Sequence, residues 1–174
     1  MPMSSGLDRI EPVLGFVNSK YFGQPSLLVI FLGYEEERAL AIYRSLEPSE
    51  SILFIPKPSY RPTYDGQTER LNSRLISLIG SDKVFTAHSR KPYQTMRDLT
   101  SHLGPGSRWD LAQWNCTIST LGTKPQAVGT YLLWREAPGS FSIISGQPLS
   151  YNELFYTTGV GPTWQILSPE HEMD

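Results

Sequence analysis

The stretch that decides the fold is a strand-to-helix passage, Trp114-Asn115-Cys116-Thr117-Ile118-Ser119-Thr120-Leu121-Gly122-Thr123-Lys124-Pro125. Its first part, 114–118, is short and β-prone, and the segment that follows it, 126–134, carries apolar residues at helical spacing. Pro125 suits the first turn of a helix, where the missing N–H costs little. The sequence therefore predicts a strand at 114–118 and a helix at 124–136, joined by a tight polar turn.

The turn has the composition of an anion pocket. Gly122 lets a ligand approach the backbone closely, while Ser119, Thr120 and Thr123 offer hydroxyl groups and Lys124 adds a positive charge. The first N–H groups of the helix are unpaired and partly positive, which favours a phosphate. The same residue types also occur in turns and caps that bind nothing. The stretch is neither a Walker A loop nor a G-x-G-x-x-G fingerprint.

Four further strands are expected on either side of this passage, at 27–32, 51–55, 83–88 and 141–144. The first is a continuous apolar run, which is typical of a strand covered on both faces of a parallel sheet. Predicted helices alternate with the strands, at 35–46, 67–79 and 93–103. This alternation predicts an α/β fold with a single doubly wound, mainly parallel five-stranded sheet of order 3-2-1-4-5.

The expected Rossmann-like domain spans residues 26–167, with 164–167 as a candidate last edge strand. Residues 1–25 show weak periodicity and several turn-forming residues, so we expect an irregular lead-in there. Residues 168–174 are expected to form a flexible tail. Aromatic residues near the C-terminus, among them Tyr156 and Trp164, are candidates for self-association or docking on a partner.

The predicted strand order places 27–32 beside 114–118, with the chain direction reversing between them. Ligands of such sheets bind beyond the carboxyl ends of the strands at this switch point. Gly33, Tyr34 and Glu35 follow the first strand and would face the anion-pocket turn. Lys57 and Arg61, in the proline-rich loop after the second strand, could close over phosphates and bases, or could belong to a solvent-exposed connection.

Composition narrows the classes of function. The single cysteine, Cys116, rules out an internal disulfide framework and fits a reducing cytoplasm. A net charge of −2 argues against direct non-specific DNA binding, and no apolar run approaches the roughly 20 residues of a membrane span. The spacing of the three histidines does not suit zinc. We expect no metal or cofactor and assign no catalytic residue.

The segment Ile118–Ala127 resembles the N-x-T-G-G-T-K-x-M turn of CARF domains, which are Rossmann-like modules of CRISPR-associated and related antiviral proteins that bind cyclic oligonucleotides. It departs from that pattern at Leu121, where the family often has glycine, and at Gln126, where methionine is common. The resemblance implies a small nucleotide or cyclic oligonucleotide as ligand. It also implies a homodimer, or a subunit of a defence complex. The residues that it implies in ligand contact are Gly33, Tyr34, Thr120, Gly122, Thr123 and Lys124.

Three functions follow from the sequence as alternatives. The first is a cytoplasmic module that senses a phosphorylated ligand at the switch point. The second is a phosphoesterase that acts on a small nucleotide. The third is a structural subunit of a larger assembly with a degenerate pocket, since fold-level analogy alone does not fix function.

Overall fold

A computed structural model of the protein describes residues 4–18, 23–59 and 62–151. In this part of the chain the strands are β1 (Ser4–Ser5), β2 (Arg9–Pro12), β3 (Ser26–Phe31), β4 (Glu50–Lys57), β5 (Val84–His88), β6 (Asn115–Thr120), β7 (Phe141–Gln147) and β8 (Ser150–Tyr151). The helices are α1 (Glu36–Leu46), α2 (Gln67–Leu71), α3 (Ser73–Ile79), α4 (Pro92–Leu103) and α5 (Lys124–Glu136). The predicted strand at 164–167, the tail at 168–174, Tyr156 and Trp164 lie outside the described residues.

The main sheet has six strands in the order β2-β7-β6-β3-β4-β5, and β1 pairs with β8 in a separate antiparallel ribbon. The α/β class is confirmed. The expected five-stranded 3-2-1-4-5 sheet is wrong, because β2 adds a sixth strand that runs antiparallel to β7. The adjacency on which the switch point depends is present, since β3 pairs parallel with β6 from Ser26 opposite Asn115 to Phe31 opposite Thr120.

The expectation of an irregular lead-in is wrong for β2. Its sequence shows no apolar alternation because the strand lies at the sheet edge with most of its residues exposed. Arg9 and Glu11 form an ion pair at 2.9 Å on the solvent side, and Ile10 packs against the core. Charged side chains on an edge strand discourage pairing with other chains. The exposed, charged side chains that suit Arg9–Pro12 to a sheet edge therefore also remove the apolar pattern by which a strand is predicted from sequence.

Hydrophobic cores cover both faces of the sheet. Because successive side chains of a strand point to opposite faces, Leu27, Val29 and Phe31 pack beneath α4 and α5, whereas Leu28 and Ile30 pack beneath α1 and α3. This is the doubly wound arrangement that the continuous apolar run predicts. Within the described residues, no helix is both long and apolar enough to cross a membrane.

Helices α4 and α5 lie side by side on one face and approach closely at Gly129. A Cβ at this position would lie 2.6 Å from Cβ of Thr95 and 2.7 Å from the carbonyl oxygen of Pro92. Only a glycine allows the two helices to come this near without a shift of their backbones. The N-terminal ends of α4 and α5 therefore meet at the carboxyl edge of the sheet.

Candidate functional site

The turn between β6 and α5 is held by a capping box. The hydroxyl of Thr123 accepts the N–H of Gln126 at 3.4 Å, and Oε1 of Gln126 accepts the N–H of Thr123 at 2.9 Å. Gln126 is fully buried, and its Nε2 donates to the carbonyl of Ala87 at 3.2 Å. The hydroxyl and the N–H of Thr123, which the sequence assigns to an anion pocket, therefore form hydrogen bonds within the protein.

The two glycines of the predicted pocket serve close packing between the ends of β3 and β6. A Cβ at Gly33 would lie 2.5 Å from the carbonyl oxygen of Leu121. A Cβ at Gly122 would collide with Oε1 of Gln126 and would lie 3.0 Å from Cβ of Phe31. The backbone therefore closes the crevice at the switch point, and a ligand at this edge would lie on the outer surface of the turns.

Ser119 and Thr120 end β6 but do not form an open pocket. Ser119 is fully buried opposite Ile30 and Ile144, and its Oγ has no hydrogen-bond partner among the described residues. Thr120 is half-buried opposite Phe31. Burial separates the Ser119 hydroxyl from the outer surface of the turn.

Side chains and backbone groups join the loops that follow β4, β5 and β6. Oγ of Ser89 donates to the carbonyl of Pro58 at 2.5 Å, and Oγ1 of Thr123 donates to the carbonyl of Ser89 at 2.7 Å. Nη2 of Arg90 donates to the carbonyl of Ser59 at 3.0 Å. We call this connected surface the carboxyl ledge; it consists of residues 58–59, 89–91 and 123–124.

The carboxyl ledge presents three exposed cations, Arg90, Lys91 and Lys124. Within the described residues, neither Lys91 nor Lys124 forms an ion pair. The sequence predicts Lys124 as a site residue but not Arg90 and Lys91. These two residues follow β5, which two strands separate from β6, so strand order alone places them away from Lys124. Because α4 and α5 pack on the same face, the loops that lead into them are neighbours, joined by the hydrogen bond from Thr123 to the carbonyl of Ser89.

Lys57 carries a charge that two partly exposed carboxylates balance. Its Nζ lies 2.8 Å from Oδ1 of Asp65 and 2.9 Å from Oε1 of Glu69, and these contacts raise the pKa of Lys57. Lys57 therefore ties β4 to the residues that lead into and form α2. Arg61 lies outside the described residues, so its predicted role remains a prediction.

Tyr34 and Glu35 stand on the other side of the switch point, in the loop that leads to α1. The ring of Tyr34 meets that of Tyr64 edge-on at 6.3 Å, and burial, followed by the charge on Tyr64, raises the pKa of Tyr34. Glu35 pairs with Arg38 at 2.5 Å. Tyr34, Arg38, Leu71 and the glutamates at 35–37 line a cavity of about 230 Å³.

The glutamates that open α1 have structural partners. Oε1 of Glu36 accepts the N–H groups of Arg74 and Leu75 at 2.8 and 3.1 Å, so this carboxylate satisfies the N-terminus of α3. The predicted helix at 67–79 is divided into α2 and α3 at Asn72, whose Nδ2 donates to the carbonyl of Gly33 at 2.8 Å. Among the described residues, no cluster of three or more His, Cys, Asp or Glu side chains could hold a metal ion.

No family model matches the chain, and no curated protein matches it either.

Proposed function

We propose that the protein binds a phosphorylated small ligand, a nucleotide or cyclic oligonucleotide, on the carboxyl ledge. The observation that supports this proposal is that two exposed lysines, Lys91 and Lys124, lie on loops that a hydrogen bond joins at the end of the sheet. Lysine binds phosphate as a compact point charge, and two such charges on neighbouring loops favour a polyanion. The resemblance of residues 118–127 to CARF domains extends the proposal to a sensing role in antiviral defence.

Rigidity of the ledge supports binding. The contacts among Pro58, Ser89 and Thr123 order the loops before any ligand arrives. A ligand would then lose less affinity to the ordering of the site. The N-terminal end of α5 adds a partial positive charge at the same edge, beside the side chain of Lys124.

Tyr34 supplies a candidate surface for the base of a nucleotide. Its side chain is 37% exposed on the loop after β3, which is the strand next to β6. An aromatic ring stacks on any nucleobase, whatever the sequence or identity of the base. In this proposal the phosphates lie on Lys91 and Lys124, and the base lies toward Tyr34.

A structural subunit with a degenerate pocket is the second candidate. The contact between Gly33 and Leu121 closes the crevice, and the capping box of Thr123 and Gln126 uses donors that a phosphate would otherwise take. The phosphoesterase alternative requires a general base, and Nδ1 of His88 already accepts backbone N–H groups.

Calorimetric titration of ATP, cyclic dinucleotides and inorganic pyrophosphate into the wild type and Lys124→Ala tests the proposal. The matched control is Arg135→Ala, which removes an equal charge from an exposed position about 16 Å along α5. We expect Lys124→Ala to weaken binding about ten- to hundredfold, the usual loss for a hydrogen bond to a charged group. The control should bind as the wild type does.

Stability and salt dependence complete this test. The melting temperature of Lys124→Ala should remain close to that of the wild type, because the side chain is exposed and a lysine at a helix start is not helped by the dipole. Affinity should fall as salt rises. Equal affinity of Lys124→Ala and wild type would overturn the assignment, and no binding of any compound would favour the structural subunit.

A further inference from the structure

We propose that His88 is a pH-dependent latch that holds the loops of the carboxyl ledge in place in its neutral form and releases them when protonated. His88 is the last residue of β5, and residues 89–91 of the ledge follow it directly. Hydrogen bonds with two residues of the turn that follows and with α4 converge on His88. They hold this turn whether or not the ledge binds a ligand.

The imidazole of His88 caps the turn that follows it. Nδ1 accepts the backbone N–H groups of Arg90 and Lys91, each at 3.1 Å. A ring nitrogen accepts hydrogen bonds only through its lone pair, so the ring is neutral and its proton resides on Nε2. The side chain thereby fixes both ledge residues that carry positive charge after β5.

The backbone of His88 is anchored as well. Its N–H donates to Oδ2 of Asp98 at 2.8 Å, and its carbonyl accepts Oγ1 of Thr95 at 2.6 Å. Both partners belong to α4, so the helix holds the end of the edge strand in place. With the main chain held, the ring has a fixed position relative to the N–H groups that it accepts.

Protonation at Nδ1 would break this arrangement. The new N–H would face two N–H donors, both hydrogen bonds would be lost, and a positive charge would arise beside Arg90 and Lys91. The neighbouring Ser89 accepts the hydroxyl of Thr123, so movement of this turn would reach the turn before α5. A charge change at one ring would therefore loosen two of the three loops of the ledge.

The charged groups around His88 mostly favour the neutral ring. Burial, then Lys91 and to a smaller extent Arg90, lower the pKa of His88, while Asp98 on α4 opposes them. On the adjacent strand β4, Lys57 lies directly opposite His88 in the strand register. Its charge is balanced by the two carboxylates that contact it, those of Asp65 and Glu69.

The direction of the pH effect follows from this environment. A histidine in an unfolded chain has a pKa of about 6.5. Because the pKa of folded His88 lies below this value, the latch stays closed at neutral pH and opens only at a pH below the midpoint of an unfolded histidine. His102 also has a pKa lowered by burial, so an experiment must separate the two rings.

Nuclear magnetic resonance of the full chain during a pH titration tests the latch. Ring nitrogen shifts report the tautomer of His88, and amide shifts report Arg90 and Lys91. We expect the Nε2–H tautomer at neutral pH, a midpoint for His88 below about 6.5, and amide shifts of Arg90 and Lys91 with the same midpoint. Protection of these two amides from exchange should fall about tenfold below that midpoint.

Two variants identify the ring responsible. His88→Asn keeps an acceptor oxygen close to the place of Nδ1 but does not titrate, so the amides of Arg90 and Lys91 should stay protected at every pH. His102→Gln should leave their titration unchanged. Flat amide shifts in the wild type while the His88 ring titrates would overturn the proposal, as would a pH response that persists in His88→Asn. The wild-type titration decides the question even if a variant does not fold.

Discussion

Thr123→Val removes one hydroxyl while keeping the shape of the side chain, and it tests how the turn between β6 and α5 is held. The substitution deletes the cap acceptor for the N–H of Gln126 and the donor to the carbonyl of Ser89. Loss of a helix cap costs about 0.5–2 kcal/mol. Loss of the second hydrogen bond costs about 0.5–1.5 kcal/mol. A midrange loss of about 2 kcal/mol lowers the Tm of a domain of this length by about 6 °C.

Thermal and urea unfolding, followed by circular dichroism, measure this loss, with Thr123→Ser as the matched control. Serine retains the hydroxyl and both hydrogen bonds, so its loss should be much smaller than that of valine. Hydrogen exchange of the backbone N–H of Gln126 should also become faster in the valine variant. The reasoning fails if valine is as stable as threonine, or if serine and valine are destabilised equally.

Three further predictions concern the fold around the site. Gly33→Ala places a Cβ 2.5 Å from the carbonyl of Leu121 and should cost about 1–3 kcal/mol in urea unfolding; an unchanged midpoint would contradict the close contact. Cys116 is fully buried and burial raises the pKa of its thiol, so thiol reagents should modify it only when the protein unfolds. Rapid labelling of the native protein would contradict the burial of this thiol. Lowering the pH through about 6.5 should reduce the free energy of unfolding. The pKa values of His88 and His102 are lowered in the folded state, so the unfolded chain binds more protons over this range. A stability that rises on acidification over the same range would refute these two pKa shifts.

The sheet was predictable where its strands are buried. The run from Leu27 to Leu32 is apolar at every position because both faces of β3 are covered, and this pattern can be read directly from the sequence. The β6–α5 passage was equally visible, since Thr123 and Pro125 are typical of a helix start. These two elements give the adjacency at the centre of the sheet.

The edge strand and the carboxyl ledge were not predictable in the same way. β2 lacks an apolar pattern because it is exposed, and the loop of Arg90 and Lys91 meets the loop of Lys124 only through the packing of α4 on α5. Gln126 stands in the sequence as a departure from the CARF pattern. In the structure it is the buried partner of Thr123 in a capping box, whose Thr-x-x-Gln spacing is visible in the sequence, whereas its hydrogen bond to the carbonyl of Ala87 depends on tertiary packing.

The measurement that tests the central claim most directly is amide shift mapping of the full chain during titration with pyrophosphate and with ATP. Binding on the carboxyl ledge predicts the largest shifts at Lys91 and Lys124 with both compounds, and a further shift at Tyr34 with ATP alone. Shifts confined to other surfaces, or none at ligand concentrations that saturate ordinary nucleotide sites, would contradict the claim that the ledge is a phosphate-binding surface.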